Sequence, residues 1–284
     1  MQHASRCWAR LTRLPHSSRF AQPYKLRQPT TSTERMTGDT RSNRIDTVII
    51  EPRYNGPTST SGNGGWVAGS LARLLGTDSV SVTLRAPAPL AVPMSVRWRE
   101  DGTATLDNDG SLIAEATVAP LELDVPKAPD PNEAEVAGEL AQKVSAQRGA
   151  NWPYAHCFGC GFARSDGLRI MPGPVGDDGI VATTWTPPLL VAGAGGQLTV
   201  EATWAALDCA AGIAWLHRLA VGTAIVTARM TAVIDQPLQV GHRYTVIGWP
   251  IAQEGRKLHA GTAIFDITGK LQARSRQLWL IPRA

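Results

Sequence analysis

Four cysteines are few for a chain of 284 residues, and they do not form a disulfide framework. Cys7 lies in a basic leader, Cys209 lies in an apolar helical pattern, and Cys157 with Cys160 makes a single CxxC. A reducing compartment suits such a chain. Long apolar runs are missing as well. The most apolar stretch, Leu189 to Leu216, is broken by Glu201 and Asp208, whereas a spanning helix needs about 18 or more uninterrupted apolar residues. No membrane association is expected. There is no Walker loop, no dinucleotide fingerprint after a strand and no G-x-S-x-G elbow, so the motifs of nucleotide binding and of serine α/β-hydrolases are excluded.

Acidic residues are scarce only at the start. Residues 1–44 hold nine Arg/Lys against Glu34 and Asp39, a net of +7, so a chain of net +4 leaves −3 for the remainder. The basic balance therefore belongs to the leader. The body has no Lys/Arg cluster interleaved with aromatics, and no nucleic-acid partner is expected. Residues 1–33 contain Arg6, Arg10, Arg13, Arg19, Lys25 and Arg27, several Ser and no acid. That composition matches a mitochondrial transit peptide. The other reading is a chain that opens at Met36, which the Ala/Gly/Arg/Pro bias of the body favours. The second reading implies a cytoplasmic protein and the first a mitochondrial one; either way residues 1–45 are expected to be a disordered tail.

What the body does contain is a pattern written twice. Pro89-Leu90-Ala91-Val92-Pro93 precedes the alternating run Met94 to Trp98, and Pro237-Leu238-Gln239-Val240-Gly241 precedes Tyr244 to Trp249. Asp107-Asn108-Asp109-Gly110-Ser111-Leu112-Ile113-Ala114 matches Asp266-Ile267-Thr268-Gly269-Lys270-Leu271-Gln272-Ala273 as Asp-x-x-Gly-x-Leu-x-Ala. Each copy of this motif reads as a strand end, a tight turn and a new strand. A helix stands ahead of each set of strands. The first, Gly65 to Leu75, places Val67, Leu71, Leu74 and Leu75 on one face and stops at Gly76. The second, Leu198 to Leu219, is apolar on nearly every face and must be wrapped by other structure. Strands are expected near 80–86, 93–100, 102–107 and 111–119, and again near 224–235, 243–252, 257–266 and 271–281. Pro126 to Pro131 reads as a linker, followed by a connecting helix to Gln147.

A sheet curled around one apolar helix buries both apolar faces at once. This layout, an α+β arrangement repeated in one chain, resembles two fused hotdog units, each an antiparallel sheet wrapped around a central helix. The expected division is 46–122 for the first unit, 123–155 for a linker with a helix, and 156–284 for the second unit. Two units in one chain suffice as a monomer, and a homodimer is the other arrangement the resemblance allows.

The resemblance extends to chemistry. Hotdog acyl-CoA thioesterases of the phenylacetyl-CoA type open the helix with His-Gly-Gly and place a catalytic acid about two turns later, commonly as Leu-Asp. Here Asn63-Gly64-Gly65 is similar to the opening, with Asn for His and Ala72 where the acid belongs. Leu207-Asp208 is similar to the acid end, but Thr199-Val200-Glu201 stands where the glycines belong. Each half keeps what the other has lost. In the family, one subunit lends the helix start and its partner the carboxylate. The resemblance thus implies one composite site, with Asn63, Gly64 and Gly65 binding substrate or oxyanion and Asp208 acting as base or nucleophile. Helix-start N–H groups suit an oxyanion because they lack helical acceptors. Glu201 is the secondary candidate for the acid, and capping is the other reading of Asn63.

The expected activity is hydrolysis of acyl-CoA thioesters, with no cofactor. The alternatives are a silent acyl or acyl-CoA binder and, less favoured for want of a suitable Asp/His pair, a hotdog hydratase. His156-Cys157-Phe158-Gly159-Cys160-Gly161 suggests metal chemistry, yet a second CxxC is missing and no fourth ligand is evident. A structural loop without a metal is therefore expected.

Overall fold

The computed structural model describes residues 46–149 and 152–283. The tail expected over residues 1–45 lies outside the described residues. In chain order the elements are β1 (Asp46–Val48), α1 (Gly64–Leu75), β2 (Ser79–Leu84), β3 (Met94–Trp98), β4 (Ala104–Asn108), β5 (Ser111–Val118), α2 (Pro131–Arg148), β6 (Gly173–Val175), β7 (Ile180–Trp185), α3 (Val200–Leu216), β8 (Val226–Ile234), β9 (Tyr244–Glu254), β10 (Lys257–Asp266) and β11 (Leu271–Leu280). Among the described residues no helix is long and apolar enough to cross a membrane.

The helices start and stop where local chemistry dictates. Trp66 N–H donates to Asn63 Oδ1, capping α1, and Gly76 closes it in the left-handed region at φ 66°. Thr199 caps α3 in the same way, accepting from Ala202 N–H. Along α3 every side chain from Ala202 to Trp215 is buried. The expected extension to Leu219 does not occur: the helix ends at Leu216, with the Trp215 carbonyl accepting from both Arg218 and Leu219.

All the strands join one antiparallel sheet of eleven, in the order β1-β3-β4-β5-β2-β8-β11-β10-β9-β7-β6. Read outward from the central pair β2 and β8, the order is β5, β4, β3, β1 on one side and β11, β10, β9, β7 on the other, with β6 as an additional edge beyond β7. The two halves are thus related by a pseudo-twofold at the β2–β8 seam, where Ser81 pairs with Thr231. Both Asp-x-x-Gly motifs form the hairpin turns expected of them, and in both hairpins the register shifts beside the turn, after Leu106 and after Ile264. This mixed α/β architecture, a curved sheet around helices, is the one expected from the duplicated pattern.

Three strands were not foreseen. β1 and β6 have three residues each, and Pro174 inside β6 is tolerated because that strand is an edge. β7 reads Ile-Val-Ala-Thr-Thr-Trp, and with both α2 and α3 packed on it most of its positions are buried without a period of two.

Inside the sheet α1 and α3 cross antiparallel at close range. A Cβ on Gly65 would stand 2.5 Å from the Trp204 carbonyl and 2.8 Å from Asp208 Cβ, and one on Gly69 would stand 2.7 Å from Glu201 Cα. Glycine on this stripe of α1, with the alanines of α3, allows backbone-to-backbone contact between the halves. That contact positions the site.

Candidate active site

The approach of the helices brings the start of α1 against the third turn of α3. Asp208 is only 2% exposed. Its Oδ2 accepts from Gly65 N–H at 3.0 Å and from Asn63 Nδ2 at 3.2 Å, while Oδ1 accepts from Thr227 Oγ1 at 2.8 Å. The capping reading of Asn63 holds, since its Oδ1 caps α1, and its Nδ2 is spent across the seam on Asp208. Burial pushes the Asp208 carboxyl up to about 7; the Thr227, Gly65 and Asn63 donors pull it down, and the neighbouring Cys157 adds to the rise. A carboxylate shorn of water prefers its proton, and here three donors only partly restore what hydration gave.

The site faces a cavity of about 290 Å³. Asn63, Gly64, Asp208 and Thr227 line it together, and Val67, Leu84, Ile225 and Trp279 are among its apolar walls. Arg85 lies on the lining with an exposed guanidinium paired to Glu115. Gly65 N–H is taken by Asp208, so it holds the carboxylate in place. Gly64 N–H has no acceptor among the described residues, and Gly64 lines the cavity. The free donor at the helix start is therefore Gly64.

Glu201 is elsewhere. It occupies the first turn of α3 and pairs with Arg73 in the last turn of α1. By pseudo-symmetry Glu201 stands where Gly65 stands in the other half, and Ala72 stands where Asp208 does. That end of the helix pair has no carboxylate to match Asp208.

Sequence reasoning missed Thr227, for an identifiable reason. Strict alternation along β8 puts Thr227 on the same side as the exposed Arg229, away from the buried Ala228 and Met230. Pairing with β11 slips by one residue between Leu278 and Trp279, opposite Ala228, and such a bulge re-aims the adjacent side chain. It also missed the convergence of Cys157, Cys160 and Cys209, which lie buried beside the site with their sulfurs within 4.8 Å of one another. Cys157 is held below the ordinary thiol range by hydrogen bonds from the Cys160 and Cys209 thiols, with further help from the Cys160 and Gly159 N–H groups. His156 is exposed and takes no part.

No protein-family model matches the sequence, and no curated protein matches it. Solved structures do. A protein from Thermobifida fusca YX, provisionally assigned as a thioesterase II, aligns at 16% identity over 87% of this chain and 97% of its own, with a TM-score of 0.56. A provisionally assigned thioesterase from Novosphingobium aromaticivorans aligns at 13% identity over 84% and 96%, with a TM-score of 0.54. The tesB protein of Mycobacterium avium subs paratuberculosis aligns at 14% over 84% and 93%, with a TM-score of 0.51. These alignments span both halves. The fold is a double hotdog. At such identities the likeness establishes architecture, and in this double hotdog only the contacts at the seam speak for the chemistry.

Proposed function

We propose that this double-hotdog protein hydrolyses acyl thioesters, of the acyl-CoA class, at one composite site between its halves. One observation carries the reading: a buried carboxylate from the second half lines a mostly apolar cavity together with an unpaired helix-start N–H from the first. Asp208 acts as the general base. It takes a proton from a water in the cavity as that water's oxygen bonds to the thioester carbon. The carbonyl oxygen becomes an oxyanion held by Gly64 N–H at the positive end of α1. The C–S bond then breaks, the acyl group leaves as the acid, and the proton on Asp208 passes to the departing thiolate. Gly65, Asn63 and Thr227 position the carboxylate. Arg85 at the cavity lining offers a cation to the anionic part of a CoA substrate.

A second reading, an acyl-CoA binder without hydrolysis, has one observation in its favour: Asp208 already has three hydrogen-bond partners, as a merely structural buried carboxylate does. A panel of acyl-CoAs from acetyl to palmitoyl and aromatic separates the two. Release of free CoA thiol by the purified protein supports hydrolysis. Saturable binding with no thiol release contradicts it.

A further inference from the structure

The proposed hydrolysis leaves the CxxC loop without a use, and its geometry is specific. The loop carries Cys157 and Cys160, α3 carries Cys209, and all three are buried free thiols. Cys157 Sγ and Cys209 Sγ are 3.8 Å apart, and the three sulfurs lie within 4.8 Å of one another. Thiolates bound tetrahedrally at the usual Zn–S length of about 2.3 Å sit about 3.8 Å from one another. A disulfide joins only two sulfurs, at about 2.05 Å, and leaves the third stranded in the core.

The surroundings are arranged for sulfur as well. A Cβ on Gly159 would stand 2.6 Å from Cys209 Sγ, so only glycine inside the CxxC admits the third sulfur. The N–H groups of Gly159 and Cys160 point at Cys157 Sγ, and Asn63 Nδ2 approaches it at 3.7 Å. Donors to sulfur stabilise thiolate over thiol. The turn is held from both sides: Phe158 N–H donates to the Asn55 carbonyl at 2.9 Å, and Ile170 N–H to the Gly159 carbonyl at 2.9 Å. Cys157 and Cys209 also line the cavity that Asp208 lines, which supplies a path of entry.

From this geometry we propose that Cys157, Cys160 and Cys209 bind one Zn2+ as thiolates, with the fourth position facing the cavity and filled by water. Each thiol gives its proton to solvent on binding, and the ion ties the CxxC loop to α3. Soft thiolate ligands select such a thiophilic ion over hard divalent cations. The site stands independently of the hydrolysis reading. Sequence spacing hid it because the third sulfur comes from a distant helix and not from the adjacent His156.

The test uses the full-length protein, purified without chelator. Elemental analysis is expected to find one zinc per chain. After removal of zinc, titration with Co2+ is expected to give the thiolate-to-cobalt charge-transfer band together with intense four-coordinate d–d absorption. Cys160→Ser and Cys209→Ser are each expected to weaken binding by at least about tenfold, the scale on which even outer-shell changes register. Circular dichroism reports whether those variants fold, and if they do not, the cobalt spectrum of the unaltered chain decides. A cobalt titration without a charge-transfer band overturns the proposal, whatever the protein does to acyl-CoA.

Discussion

Replacing Asp208 with asparagine removes the proposed base while keeping its shape. In the native site Gly65 N–H and Asn63 Nδ2 both donate to Oδ2, and Thr227 donates to Oδ1. An asparagine amide oxygen takes over the two Oδ2 bonds. Its NH2 group then faces Thr227 Oγ1, which accepts once the hydroxyl rotates. The Gly65 and Asn63 donors keep their acceptor, and the desolvation that lifts Asp208 to about 7 is relieved in the neutral isostere. Stability is therefore expected to hold or rise. Turnover is not: a positioned general base contributes about 10²- to 10⁴-fold, or about 3–5.5 kcal/mol of barrier. Thiol release from a reactive acyl-CoA, followed with a thiol reagent, reads the loss as a fall in kcat with little change in KM. Thermal melting of the same sample reads the fold. A variant that melts like the wild type and still turns over at the wild-type rate refutes the assignment of Asp208.

Four further outcomes follow from the same geometry. Thr227→Val keeps the volume but leaves Oδ1 without its donor, costing about 1–3 kcal/mol in chemical denaturation and lowering kcat. Gly65→Ala drives a methyl into the Trp204 carbonyl and Asp208 Cβ, so the helices must part; a loss of about 1–3 kcal/mol is expected, with turnover falling alongside, and an unchanged melting point contradicts the close crossing. Glu201→Gln breaks a pair whose arginine is about half exposed, so under about 1 kcal/mol is lost and acyl-CoA turnover stays at the wild-type level. Leu71→Ala empties a fully buried position on α1 and is expected to cost about 2–5 kcal/mol by denaturant titration.

Much of the architecture was legible because both periodicities were clean. The stripe Val67, Leu71, Leu75 named α1, and the all-round burial of Ala202 to Trp215 was foreshadowed by the uniformly apolar run around Asp208. The repeat of Pro-Leu and Asp-x-x-Gly marked where strands begin and turn in each half, because turn chemistry is local; a simple meander was expected, and the pairing of β2 with β5 and of β8 with β11 was not read from it. What stayed hidden was non-local. β7 is covered on both faces and carries no alternation, and Thr227 faces the carboxylate only through a bulge created by pairing with β11. Asn63, Gly64, Gly65 and Asp208 were readable as candidates because each half lacks what the other holds. The division of labour between the glycines was not readable, since Gly65 N–H is spent on Asp208 only when α3 lies within hydrogen-bond reach. Cys209 joins the CxxC for the same reason, by tertiary placement across the chain.

The most direct test of the proposed composite site is a crystal structure with a non-hydrolysable acyl-CoA analogue whose thioester sulfur is replaced by methylene. The acyl carbonyl oxygen is expected within hydrogen-bond distance of Gly64 N–H, its carbon facing the Asp208 carboxylate and the acyl chain among Val67, Leu84 and Trp279. An analogue seated at the other end of the helix pair, beside Ala72 and Glu201, contradicts the account.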